Sequence, residues 1–231
     1  MSLEFFLNVN FIYVILSFSA LFFTLIISSV RLSLLSKELR FVDSLTIWFS
    51  SQNNSGKNFA IVLYEILLDV LVPNMLALFF ALFYLVAERN LYCILPMFSS
   101  TLIVTLWVSI FLRRRRNFSD VKLNILDHVI FVFLTLLKIV FASFSVFLAY
   151  LAVGVNIEFT RSLVAYLFAL SLGIIPLPAG SIGMEVGLSI IKPGVGVVLW
   201  RILAYYVLTL ICLPFILNLS KRLTIRRSLN K

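Results

Sequence analysis

Polar residues in this chain are confined to narrow bands that separate long apolar runs at about 5–30, 59–87, 91–112, 125–153 and 195–217. Each run reaches the roughly 20 apolar residues that a helix needs to cross a ~30 Å hydrocarbon core. Backbone groups at that depth cannot bond to water, so helices are the expected solution, and no short alternating segments suggest a barrel. The first run stops at Arg31, and a polar stretch with Lys37, Glu38 and Arg40 follows. Phe41 to Phe49 is too short to cross and is expected at the interface, ahead of a loop from Gln52 to Lys57. Pro73-Asn74 inside the second run predicts a kink.

One segment, 162–192, breaks the rhythm. It begins as a helix, is interrupted over Ile175-Pro176-Leu177-Pro178-Ala179-Gly180-Ser181-Ile182-Gly183, and resumes from Met184 to Ile191. Each half amounts to only about 20–25 Å of helix, too short to cross comfortably. The pattern therefore predicts an all-α polytopic transmembrane bundle, with about five full spans and one re-entrant broken-helix hairpin, forming a single transmembrane domain over 1–231.

Composition supports this reading and charge orients it. The chain is 62% hydrophobic and 13% charged, with mean hydropathy +1.10, whereas a soluble domain carries about 25% charged residues. The net charge of +9 does not indicate nucleic acid, because the basic residues sit at the ends of apolar runs. Segments 31–58, 113–124 and 218–231 hold fourteen Lys and Arg residues, and the opposite set of loops holds only Arg89, Arg161 and Lys192. The positive-inside rule then places the C-terminus in the cytoplasm and the N-terminus outside, in a multi-pass cell-membrane protein. The tally closes only if 162–192 enters and leaves on the outer side. The N-terminal run lacks a basic n-region and a small-residue cleavage site, so it is expected to remain as a span. Trp48, Trp107 and Trp200 are expected at the interfaces.

Ionisable side chains inside spans cost ~2.5–3.5 kcal/mol each on insertion scales and usually face a partner or a cavity. Glu65 and Asp69, four residues apart, share one helix face; Lys138, Glu185 and Arg201 complete the set. Two readings are open: inter-helix ion pairs that hold the bundle, or the lining of a polar cavity that takes a charged headgroup. Half-helices starting within the membrane aim free N–H groups at the break, and Gly180, Ser181 and Gly183 would let a ligand approach closely. The alternative for these small residues, with Gly187, Gly194 and Gly196, is close helix packing. His128, lacking a second histidine, reads as an interfacial polar residue, and Arg113 to Arg116 as a topology determinant. Cys93 and Cys212 fit no metal spacing and are expected to be free and buried. Neither a metal site, a cofactor site nor a nucleophile–base pair is indicated, so the chain is not expected to be an enzyme.

The stretch Pro176-Leu177-Pro178-Ala179-Gly180-Ser181-Ile182-Gly183-Met184-Glu185 resembles a signature of the transmembrane region of lysylphosphatidylglycerol synthases, the flippase-like domain family. Arg201-Ile202-Leu203-Ala204-Tyr205-Tyr206 is similar to that family's following arginine–aromatic element. Tyr64 to Asp69 resembles its acidic helix, with Ile66 in place of an arginine, and Ser29-Val30-Arg31-Leu32 its early arginine-led stretch. The chain resembles a shortened member, without the first Pro-Gly re-entrant element that usually precedes the acidic helix. The resemblance implies a lipid translocator. Glu185 and the Gly180–Gly183 turn would contact a phospholipid or polyprenyl-linked headgroup, and Glu65, Asp69, Lys138 and Arg201 would line its path. Membrane lipids are then the expected partners, with a homodimer or a membrane enzyme supplying the missing wall. A non-catalytic accessory subunit of a glycosyltransferase or lipid-modifying system is the alternative, and an ion-coupled solute transporter a third.

Overall fold

The computed structural model describes residues 9–35, 56–118, 124–173, 181–207 and Leu210. The interfacial stretch, Gly180, Cys212, Trp48 and the basic tail expected from the sequence lie outside these residues, as do the side chains of Glu65 and Ser181. The described residues form an all-α bundle with no strand: α1 (Phe11–Leu35), α2 (Gly56–Ala87), α3 (Ile94–Phe118), α4 (Ile125–Ala152), α5 (Phe159–Gly173), α6 (Ser181–Ile191) and α7 (Val195–Arg201). A 3-10 turn (Leu91–Cys93) leads into α3, and a π-helical turn (Ile202–Val207) continues α7. Among the described residues, four stretches are long and apolar enough to cross a membrane: Phe11–Arg31, Leu67–Ala87, Leu91–Ser109 and Ile125–Ala152. Phe79, Phe83, Val86 and Phe133 point outward from them. A continuous apolar exterior on helices of this length makes the chain an integral, multi-pass membrane protein.

Local chemistry sets the helix ends. The Asp127 carboxylate accepts from the Asn124 amide at 2.9 Å and caps the start of α4. Gly154, at φ 73°, turns the chain where α4 stops. Arg89 takes a left-handed φ of 52° in the short turn between α2 and the 3-10 turn, and Asn90 Oδ1 then accepts from the Tyr92 amide at 3.1 Å. α2 continues as helix through Pro73.

Cross-helix bonds fix the directions. α1 runs antiparallel to α4: the Asn10 amide donates to the Ala152 carbonyl at 2.9 Å, Ser17 Oγ to the Ser145 carbonyl at 2.8 Å, and Arg31 Nη1 to Thr135 Oγ1 at 2.6 Å. α7 also opposes α4, with Trp200 Nε1 donating to Ser145 Oγ at 2.8 Å. One end of the bundle, here the upper end, thus gathers Asn10, the α2–α3 turn, the α4–α5 loop and the start of α7. Both ends of the hairpin lie there too: Arg161 is 4.0 Å from Glu88, and the Tyr150 hydroxyl donates to the Lys192 carbonyl. The segment therefore enters and leaves on one side, as charge parity requires.

The hairpin itself is closed by glycine. Gly183 and Gly187, four residues apart on α6, face the α5 backbone at Leu172–Gly173 and Phe168–Ala169. Absent side chains let two helices approach until backbone meets backbone, the small-xxx-small arrangement of membrane interfaces. α5 in turn packs on α2, α3 and α4. Ala77 and Ala81 meet Val164, Leu167 and Phe168, and Ala165 and Ala169 meet Val146 and Tyr150.

Three sequence expectations need correction. The apolar span does end at Arg31, but the helix does not: α1 continues to Leu35, and Arg31 is fully buried. Trp200 is no interface anchor; it is 3% exposed, with its indole N–H on Ser145. The chain is already helical at Ser181, before Met184, and Gly183 within that first turn lies against the Leu172 carbonyl.

Candidate functional site

The ionisable residues singled out in the sequence form two groups at different depths. The deeper group ties α1, α2 and α4 together. Asp69 on α2 gives one carboxylate oxygen to each of two cations: Oδ1 lies 2.7 Å from Arg31 Nη2, and Oδ2 lies 2.6 Å from Lys138 Nζ. Thr135, one turn before Lys138 on the same face of α4, accepts from Arg31 and donates its own hydroxyl to the Phe131 carbonyl at 2.8 Å. Lys138 lies about 21 Å from the upper end of α4, at 1.5 Å rise per residue, close to the middle of that helix. Side chains there have little water to lean on, so each charge is held by its neighbours. Arg31 is 0% exposed, Lys138 17% and Asp69 24%.

The shallower group belongs to the hairpin and the helix after it. Glu185 on α6 pairs with Arg201 on α7. Both lie about 9 Å from the upper end, Glu185 counted back from Ile191 and Arg201 forward from Val195. The Arg201 guanidinium sits over the Tyr205 ring at 5.5 Å, and the Tyr205 hydroxyl donates to Met184 Sδ at 2.7 Å. The π-helical turn Ile202–Val207 starts immediately after Arg201. Single π turns in membrane helices are often found at functional positions. Glu185 keeps 43% of its side chain exposed and Arg201 20%.

On α5, the Tyr166 ring meets Trp200 edge-on at 6.0 Å. At the lower end, the Tyr64 hydroxyl contacts His128 Nδ1, and Tyr64 lies within electrostatic reach of Arg31. Polar side chains thus form three separate rungs of a ladder down the bundle: Glu185–Arg201 with Tyr205, then Asp69–Lys138–Arg31, then Tyr64–His128. His128 is thus joined to α2 rather than being only an interfacial polar group.

The structure brings together Asp69 with Lys138, and Glu185 with Arg201. It does not merge the four into one group. Gly183 is buried against the Leu172 carbonyl, so its open face serves the helix contact. Ser181 is the first residue of α6, Gly180 precedes the described part of that helix, and Glu65 lies on α2 one turn before Asp69. Arg31 was missed, because the span was closed at its first charge. The apolar Leu32, Leu34 and Leu35 beyond it were the signal that the helix continues. With Arg31 added, the intramembrane set counts three acids, Glu65, Asp69 and Glu185, against three bases, Arg31, Lys138 and Arg201. Among the described residues, no group of three His, Cys, Asp or Glu side chains gathers to hold a metal ion, and Cys93 is a free, buried thiol.

Comparison of the chain with protein-family models, with curated proteins and with solved structures finds no match.

Proposed function

We propose that this membrane protein admits a phospholipid or polyprenyl-linked headgroup to its polar ladder and helps it cross the bilayer. The observation that carries this reading is the partly exposed carboxylate of Glu185 on the re-entrant hairpin, paired with Arg201 of α7. α4, about 42 Å long, overhangs a ~30 Å core by roughly 6 Å at each end, so a pair about 9 Å down lies just inside the hydrocarbon boundary. A carboxylate left 43% exposed at that level is costly against acyl chains, and it suits a polar headgroup or its water. The acyl or prenyl tails would stay in lipid, so only the headgroup needs new partners. The resemblance of the Pro176–Glu185 and Arg201–Tyr206 stretches to the flippase-like family points the same way, and we assign the chain there as a proposal.

Orientation follows from charge. Removing Arg31 from the cytoplasmic tally leaves thirteen Lys and Arg residues against three, so the C-terminus is placed in the cytoplasm of a cell-membrane protein and the upper end outside.

The accessory-subunit reading has its own support. The Arg31–Asp69–Lys138 group is largely buried, as a brace between three helices would be. Reconstituted vesicles carrying fluorescent phospholipids or a polyprenyl-phosphate sugar separate the two. Protein-dependent scrambling that falls in Glu185→Gln, at unchanged expression and folding, supports translocation. Full scrambling in Glu185→Gln removes the pair from the mechanism. No scrambling of any lipid by folded protein shifts the assignment to an accessory subunit, to be pursued by co-purification.

A further inference from the structure

We propose, resting on the lipid-translocation reading above, that the headgroup taken by the Glu185–Arg201 pair is a zwitterion of the phosphatidylethanolamine kind. Its primary ammonium would settle on Glu185 and its phosphate on Arg201.

The surroundings of the pair set how a ligand arrives. Glu185 is flanked on α6 by Ile182 and Val186, and Arg201 by Val198 of α7 and Ile202 of the π turn, all four exposed. The carboxylate therefore opens through an apolar surface, about 3 Å inside the hydrocarbon boundary. A lipid of the nearer leaflet reaches it by a sideways step, with its tails against those four side chains. A water-soluble ion or solute has to leave water for the same surface, with no tails to offset the loss.

Charge balance then selects the headgroup. The pair is neutral as it stands. A zwitterion can exchange partners with it, ammonium to carboxylate and phosphate to guanidinium, so that all four charges stay paired at a depth where an unpaired one is costly. An anionic headgroup on Arg201 would place two negative groups around one guanidinium. A purely cationic headgroup on Glu185 would place two positive groups around one carboxylate. Arg201 is suited to the exchange, because its guanidinium also lies over the Tyr205 ring at 5.5 Å and keeps that support when the Glu185 carboxylate turns to a ligand. A planar guanidinium meets phosphate oxygens two at a time.

The unequal exposure of the two partners refines the choice among zwitterions. Glu185 is 43% exposed and Arg201 20%, so the ligand's cation meets the more open partner. A carboxylate accepts hydrogen bonds and donates none, which suits a primary ammonium with three N–H groups to give. A quaternary ammonium has no N–H and is held instead by aromatic faces. The ring beside the pair, Tyr205, already faces Arg201. Ethanolamine is thereby favoured over choline.

Vesicles containing the full chain and a trace of acyl-labelled phosphatidylethanolamine, phosphatidylcholine or phosphatidylglycerol compare the headgroups with the tails held constant. The parent should scramble phosphatidylethanolamine about tenfold faster than either other lipid, the effect of one charge-assisted hydrogen bond. Glu185→Gln should abolish the difference, and the comparison within the parent stands if that variant does not fold. Equal rates for the three lipids, or faster movement of either other one, would overturn the headgroup assignment and leave translocation standing. No movement of any lipid by folded protein would refute translocation instead. Thermal unfolding in detergent micelles with each lipid added then decides the headgroup. An unfolding temperature raised more by phosphatidylethanolamine than by the other two keeps the site as a binding site, and equal shifts overturn it.

Discussion

Asp69→Asn is the substitution whose cost the geometry specifies most tightly. Asn preserves the shape of the side chain and one acceptor oxygen but removes the charge that two cations share at 2.6 and 2.7 Å. The cations then remain close to each other near the middle of the bundle, with Arg31 fully buried. Taking one partner from a buried ionic group costs about 3–5 kcal/mol, most of it the penalty on the charge left behind. Arg31→Met is the informative contrast. It deletes one cation and keeps Lys138 on Asp69, so its cost should stay at or below about 2 kcal/mol. Replacing all three, as Arg31→Met, Asp69→Leu and Lys138→Met together, removes the desolvation penalty along with the attraction and should return stability to within about 1 kcal/mol of the parent. The assay is equilibrium unfolding in mixed micelles titrated with a denaturing detergent and read by tryptophan fluorescence. If Asp69→Asn proved no more damaging than Arg31→Met, Asp69 would not be the hub that the geometry makes it, and the brace argument would be wrong.

Three further outcomes test the packing and path of the chain around the hairpin. Gly187→Ala places a methyl group where Ala169 Cα and the Phe168 carbonyl carbon lie 2.5 Å away, all backbone, so α5 and α6 must separate; a loss of about 1–3 kcal/mol or more in the same assay is expected. Gly154→Ala, which meets nothing within 4 Å and carries only a positive φ, should cost about 1 kcal/mol. In a background without Cys93 and Cys212, single cysteines at Glu158 and Lys192 should react with an impermeant maleimide from the same face of the membrane. Labelling from opposite faces would mean that 162–192 crosses, contrary to the shared upper end seen at Glu88–Arg161 and Tyr150–Lys192.

The contrast between sequence and structure is sharpest at individual residues. The apolar run at 125–153 coincides with α4 almost residue for residue, because length and hydropathy are properties of the chain itself. The re-entrant hairpin was also legible, since each apolar half of 162–192 is too short to cross comfortably and the charge count admits only one parity. Arg31 was not legible in the same way. A charge after an apolar run looks the same whether it ends a span or goes on into the bundle, and the difference is a carboxylate on another helix, 2.7 Å away. Trp200 misled for a similar reason: its indole fits an interface as well as a core, and only Ser145 opposite it decided.

Candidate residues follow the same division. The costs of burying Glu65, Asp69, Lys138, Glu185 and Arg201 are written in their positions within apolar runs, so the sequence alone marked them as residues needing partners. Which partner each one takes depends on helix rotation and register, and these arise from packing. The Gly183 and Gly187 contact with α5 sets the rotation of α6, and thereby helps to place Glu185 beside Arg201 rather than beside Lys138. The sequence determined a multi-span helical membrane protein with a broken hairpin and a set of intramembrane charges, because hydrophobicity, length and proline act locally. The tertiary structure alone decided that those charges divide into a mid-bundle brace and a pair above it whose carboxylate is partly exposed, because ionic partners are chosen across helices that only packing brings together.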